Sequence, residues 1–208
     1  MTRWPAAALV AAAIAGVPGA PAQGAGVIAA LGDSLTAGLG VAADEAYPAR
    51  LEARLRSEGY EFRVVNAGVS GDTTAGGLRR VDWVLRAKPE IVVVALGAND
   101  GLRGQSPSAM RANLETIIAR LTARGARVLL AGMRMPPNYG AEYTREFAAI
   151  YPDVARRTRV ALMPFLLEGV AADPRFLLAD GLHPNAAGHQ IIADRLWPYL
   201  LPLLQKAR

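Results

Sequence analysis

Residues 27–40 read VIAALGDSLTAGLG: five apolar residues, then an acid and a hydroxyl side by side between glycines. A run without polar alternation is the pattern of a strand covered on both faces, and the glycine-bracketed segment reads as the loop that follows it. Four further runs repeat the pattern, at 62–67 (FRVVNA), 91–96 (IVVVAL), 127–133 (RVLLAGM) and 160–163. Helical patterns fall between and after them, at 47–58, 77–87, 107–124, 142–157 and 186–206, the third opened by Ser106-Pro107 and closed near Gly125. Such alternation predicts right-handed crossovers and an α/β domain of three layers, α/β/α, around a five-stranded parallel sheet. The common order for five strands is the flavodoxin-like 2-1-3-4-5, in which ligands sit at the carboxyl ends of strands one and three. The loops after Leu31 and Leu96, GDSLTAG and GANDG, are therefore where function is expected.

The 208 residues are 52% hydrophobic and 20% charged, which suits one globular domain with a full core. With no cysteine, disulfides, thiolate metal sites and a cysteine nucleophile are excluded. The formal charge of +5 comes from arginines interleaved with glutamates, as in Arg50, Glu52, Arg54, Arg56 and Glu58. That is a solvated helix face, without the basic stripe of a nucleic-acid interface, so no nucleic-acid partner is expected. Residues 1–22 carry Arg3, an apolar stretch of Ala, Val and Ile, and then Ala20-Pro21-Ala22. This is the pattern of a secretory signal peptide cleaved after Ala22, leaving residues 23–208 as the mature domain. A periplasmic or secreted protein with no stable membrane insertion after cleavage is expected, and the sequence sets no oligomeric state.

Ser34, just beyond the first strand, reads alone as a turn or helix cap, because Asp-Ser is good capping chemistry. As a nucleophile it needs a positioned base, and only His183 and His189 are available. His183 lies in 180–185 (DGLHPN), with Asp180 three residues earlier, close enough in a turn to accept an imidazole proton and fix its tautomer. His189 falls inside the last helical pattern and reads as structural. Asp180, His183 and His189 lack a further histidine or cysteine to complete a metal site, so no metal is expected. Asn99, in the loop after strand three, is a side-chain donor suited to an oxyanion, although Asn-Asp-Gly is also strong turn chemistry. Gly71 brings a backbone N–H close to a ligand without a side chain in the way. No phosphate-loop pattern accompanies it, and no G-x-S-x-G elbow surrounds Ser34. Each feature is weak alone; together, in the loops that the topology singles out, they point to acyl transfer.

These residues resemble the SGNH (GDSL) hydrolase family: GDSLTAG at 32–38, SGDTTAGGL at 70–78, GANDGLRG at 97–104 and DGLHPN at 180–185. NDGLRG, MRMPPNYG at 133–140 and IYPDVA at 150–155 are similar to its bacterial branch of acyl-CoA thioesterase I, lysophospholipase L1 and arylesterase. The resemblance implies Ser34 as nucleophile, His183 as base oriented by Asp180, and an oxyanion hole of the Ser34 and Gly71 amides with the Asn99 side chain. It implies no cofactor, and a small-molecule ester or lipid as the partner. Ala98 departs from the glycine that this branch often has before the asparagine. Leu102, Met135, Pro136, Pro137 and Tyr139 are candidates for an apolar acyl groove, with ordinary loop packing as the alternative. Other readings of the scaffold are a carbohydrate-type deacetylase, an exported lipid-binding protein without catalysis, and a flavodoxin-like cofactor binder.

Overall fold

The computed structural model describes residues 25–205, so the expected signal peptide lies outside the described residues. Five parallel strands form one sheet: β1 (Gly26–Gly32), β2 (Phe62–Gly68), β3 (Ile91–Ala95), β4 (Arg127–Ala131) and β5 (Ala161–Met163). Their order is β2-β1-β3-β4-β5, the expected one. Every residue of the central β3 is buried, whereas the edge strands β2 and β5 are only half covered. That gradient separates the uninterrupted IVVVA of the centre from the polar-bearing FRVVNAG of the edge.

The helices are α1 (Ser34–Ala37), α2 (Tyr47–Ser57), α3 (Thr74–Arg79), α4 (Val81–Leu85), α5 (Ala98–Leu102), α6 (Pro107–Thr122), α7 (Ala141–Thr158) and α8 (Ala186–Gln205). α2 packs with α8 on one face; α3, α4 and α7 pack around α6 on the other. This follows from right-handed crossovers that run from β1 to one side and then back across the sheet. Between the layers Ile28, Leu31, Leu51, Ile91, Leu96, Leu114 and Phe147 are fully enclosed, each worth roughly 1.5–3 kcal/mol of transfer free energy. α7 and α8 continue through Pro152, Pro198 and Pro202 because Val154, Leu200 and Leu204 on the same helices are buried in the core. The single helix expected over 77–87 is instead two, α3 and α4, divided at Arg80, where φ is −109° and ψ is 9°. Two loops expected after β1 and β3 each begin with a turn of helix, α1 and α5. Among the described residues no helix is long and apolar enough to cross a membrane.

His189, on α8, is 1% exposed. Its Nδ1 accepts the Tyr47 N–H at 3.2 Å, while the Tyr47 hydroxyl meets Thr36 Oγ1 at 2.8 Å. Burial, helped by the nearby charge of Arg50, pushes the imidazole from 6.5 down to about 4. An unfolded chain therefore takes up this proton first, and stability falls as pH drops through the window from 6.5 to 4. Asp33, raised by burial from 3.8 to about 6, acts oppositely and loses its contribution as pH rises across that interval. His189→Asn, which keeps an acceptor for Tyr47 but cannot ionise, isolates the histidine. In urea unfolding the stability lost between pH 7 and pH 4.5 should be about 2–3 kcal/mol smaller in the variant than in the wild type. Equal losses in the two proteins would rule this account out.

Candidate active site

At the end of β1 the chain enters α1 at once. Asp33 caps the helix, its Oδ1 accepting the Leu35 N–H at 3.0 Å, and Ser34 occupies the first helical position. There its own N–H is one of the amides that a helix start leaves without an internal partner. Ser34 is nearly buried, at 8% exposure, yet its hydroxyl reaches the wall of an open groove.

Asp180 and His183 come from the loop before α8. Leu178 N–H donates to the His183 carbonyl at 2.7 Å, which folds the loop back on itself. The Asp180 carboxylate closes the turn: Oδ1 accepts the N–H groups of Leu182 and His183, each at 2.9 Å, and Oδ2 lies 2.6 Å from His183 Nδ1. Those two backbone donors, with the imidazole, hold the Asp180 carboxyl down at about 2. A permanently charged acceptor at Nδ1 fixes that proton there and leaves Nε2 as an acceptor. Nε2 stands 2.9 Å from Ser34 Oγ. The three side chains thus form one hydrogen-bonded chain, with Asp180 at its exposed end and Ser34 at its buried end.

Asn99 extends from the first turn of α5, next to Asp33, and donates from Nδ2 to Asp33 Oδ2 at 3.3 Å. The second N–H of the same amide is left for another acceptor. Asp33 is 1% exposed, and desolvation is the main reason its carboxyl is raised to about 6. Gly71 sits in the turn after β2 with φ at +78°, a conformation that favours glycine. Two links tie this turn to α5. Arg103 Nη2 donates to the Gly71 carbonyl at 3.0 Å, and buried Asp100 accepts both the N–H and the hydroxyl of Thr74, at 2.8 and 2.5 Å. The Asn-Asp-Gly segment is accordingly a helix start whose Asp100 points inward, rather than a free turn.

Beside Ser34, Asn99 and His183 lies a groove of about 510 Å³. Leu102, Met135, Pro136 and Pro137 line it, as does the methyl of Ala98. Tyr139, expected among them, is not in its lining. Its hydroxyl donates to the Leu102 carbonyl at 3.3 Å and its ring packs on Tyr143, so it braces the wall from behind. Phe165, Leu167, Leu177 and Leu182 complete the lining; sequence reasoning missed the first three because they lie in irregular chain after β5 that carries no motif, and Leu182 because the motif around it draws attention to its polar residues. Arg134 stands in the same lining with its guanidinium 5.0 Å above the Phe165 ring. A smaller hollow, of about 250 Å³ beside α2 and β2, holds none of the candidate residues. Among the described residues no three acidic or imidazole side chains are grouped to hold a metal.

The chain is similar in sequence and fold to known proteins. Esterase TesA of Pseudomonas aeruginosa is 46% identical over 175 residues, which is 84% of this chain and 87% of that protein. The Escherichia coli K12 protein named thioesterase 1/protease 1/lysophospholipase L1 is 42% identical over 84% of this chain and 83% of its own. A crystal structure of TesA superposes with a TM-score of 0.83 at 44% identity, covering 85% of this chain and all but 1% of that one. The pattern of the GDSL-like lipase/acylhydrolase family runs through residues 30–191, from β1 to α8. By that match and by these relatives, the chain belongs to the GDSL-like lipase/acylhydrolase family.

Proposed function

We propose that this protein is a serine esterase that hydrolyses carboxylic esters through an acyl-enzyme on Ser34. The observation that carries the reading is the unbroken chain Ser34 Oγ–His183 Nε2–Asp180 at the wall of an apolar groove. Its relatives' names, esterase and thioesterase/lysophospholipase, support the same chemistry.

In this mechanism Ser34 Oγ attacks the acyl carbonyl as its proton passes to His183 Nε2. Asp180, already ionised, accepts the hydrogen bond from Nδ1–H and stabilises the imidazolium without taking its proton. The oxygen of the tetrahedral intermediate is received by the Ser34 and Gly71 N–H groups and by Asn99 Nδ2. His183 then protonates the departing alcohol, phenol or thiol. Water then attacks the acyl carbon as its proton passes to the same nitrogen; the bond to Ser34 Oγ breaks, His183 returns the proton to that oxygen, and the acid leaves. No cofactor or metal takes part. The groove favours aryl and medium-chain acyl esters, with acyl thioesters and lysophospholipids within its reach. A carbohydrate-type deacetylase has no use for so long an apolar wall. Residues 1–22 act as an export signal in this reading, so the enzyme works in the periplasm or outside the cell as a chain beginning at Gln23.

Ser34→Ala should abolish turnover of a p-nitrophenyl ester and also covalent labelling by an organophosphonate; a labelled variant would move the nucleophile elsewhere. Asn99→Ala should lower kcat by roughly 10²–10³ with KM little changed, since its hydrogen bond strengthens as charge develops. Across p-nitrophenyl esters, kcat/KM should rise from acetate to medium chains. A strict preference for acetate would instead support the deacetylase reading. Mass spectrometry of exported protein should find Gln23 at the amino terminus, and an intact Met1 or Thr2 there would refute cleavage.

A further inference from the structure

The Arg80 side chain joins the ends of β1 and β2 to the turn that carries Gly71. Its Nη2 donates to the Gly32 carbonyl at 2.7 Å, Nη1 to the Ala67 carbonyl at 2.6 Å, and Nε to Asp72 Oδ2 at 2.6 Å. Gly32 lies two residues before Ser34, and Asp72 directly follows Gly71. The guanidinium and its carboxylate partner are both largely enclosed, at 17% and 11% side-chain exposure. Space for the carboxylate is built in. A Cβ at Gly76 would stand 1.6 Å from Asp72 Oδ1, so only glycine there admits it. The helix break that divides α3 from α4 falls at this arginine.

Beyond Gly68 the chain leaves the sheet, and the ladder no longer fixes where the Gly71 turn lies relative to Ser34. In the turn itself the backbone bonds are Val69 N–H to the Gly32 carbonyl and Asp72 N–H to the Val69 carbonyl, at 3.1 and 3.0 Å, and Arg103 holds the Gly71 carbonyl from the side of α5. A planar guanidinium with three donors in fixed directions can set that relation, which a flexible ammonium cannot. We propose that Arg80, acting through Asp72, is a positioning residue that holds the Gly71 amide in register with the Ser34 amide, so that both meet one oxyanion. This rests on the serine-esterase reading. Arg80 itself touches no substrate; it sets the spacing of two donors whose misplacement by about 1 Å is enough to cost 10²-fold in rate.

The test uses the full mature chain and a p-nitrophenyl ester of medium chain. Arg80→Lys keeps the charge but not the three-way fork, and Asp72→Asn keeps the shape but not the charged acceptor. Each should lower kcat by roughly 10–100-fold with KM within about threefold of the wild type. The double variant should lose no more than the worse single one, because the two residues act as a unit. Folding is checked by near-UV circular dichroism and melting temperature, and Asp72→Asn decides the matter if Arg80→Lys does not fold. Folded variants with wild-type kcat would overturn the proposal, as would a loss confined to KM. Inactive wild-type protein would instead refute the esterase reading on which it stands.

Discussion

The site depends on a matter of register. Gly32 of β1 pairs with Gly68 of β2 on one side and with Ala95 of β3 on the other, so three neighbouring strands end at one level. Parallel pairing makes those three ends face the same way, and the reversal of strand order at β1 keeps the crossover helices from filling the space above them. Ser34, Gly71 and Asn99 each follow one of these ends by a few residues. A slip of one residue in either ladder would turn a buried row of side chains toward the wrong face. The complete burial of Ile91 through Val94 and of Ile28 through Leu31 resists that slip. The hydrophobic core thus fixes the height at which the polar groups begin, and short hydrogen bonds do the rest.

Those short bonds share a logic. Polar side chains enclosed near the site find partners in other segments: Asp33 with Asn99, Asp100 with Thr74, Arg80 with two strand ends and Asp72. An unpaired charge at such depth is costly, so each pairing leaves little freedom for the loop that carries it. Asp33 is the case where compensation is incomplete: one backbone N–H and one amide do not offset its burial, and its carboxyl stays at about 6. Asp180 is the opposite case, a carboxylate in contact with solvent whose two backbone donors keep it ionised.

Sheet order and the principal helices were legible because each rests on a short-range pattern: apolar runs for strands, a capped 3.6-residue period for helices. The constellation of Ser34, His183, Asp180 and Asn99 was legible because topology predicts which loops converge and those loops carry the needed residue types. What escaped depends on distance in sequence. Arg80 reads as one more arginine on a helix, since its partners are 8, 13 and 48 residues away. Tyr139 reads as groove lining because it shares a loop with Met135, Pro136 and Pro137, but its hydroxyl is drawn to the Leu102 carbonyl, 37 residues earlier. The wall of Phe165, Leu167 and Leu177 lies in irregular chain, where no periodicity marks an inward face.

One feature of the last helix reaches back to the first. His189 buttresses Tyr47, and Tyr47 in turn holds Thr36, two residues past Ser34, while His183 lies six residues before His189. During synthesis, then, β1 and Ser34 are made well before the imidazole that stands 2.9 Å from the serine hydroxyl and before the support beneath α1. Until the segment from Asp180 to His189 has been made and has docked, Ser34 Oγ is without its imidazole partner. The order in which a chain is threaded out thus separates the two halves of this hydrogen-bonded chain by 149 residues.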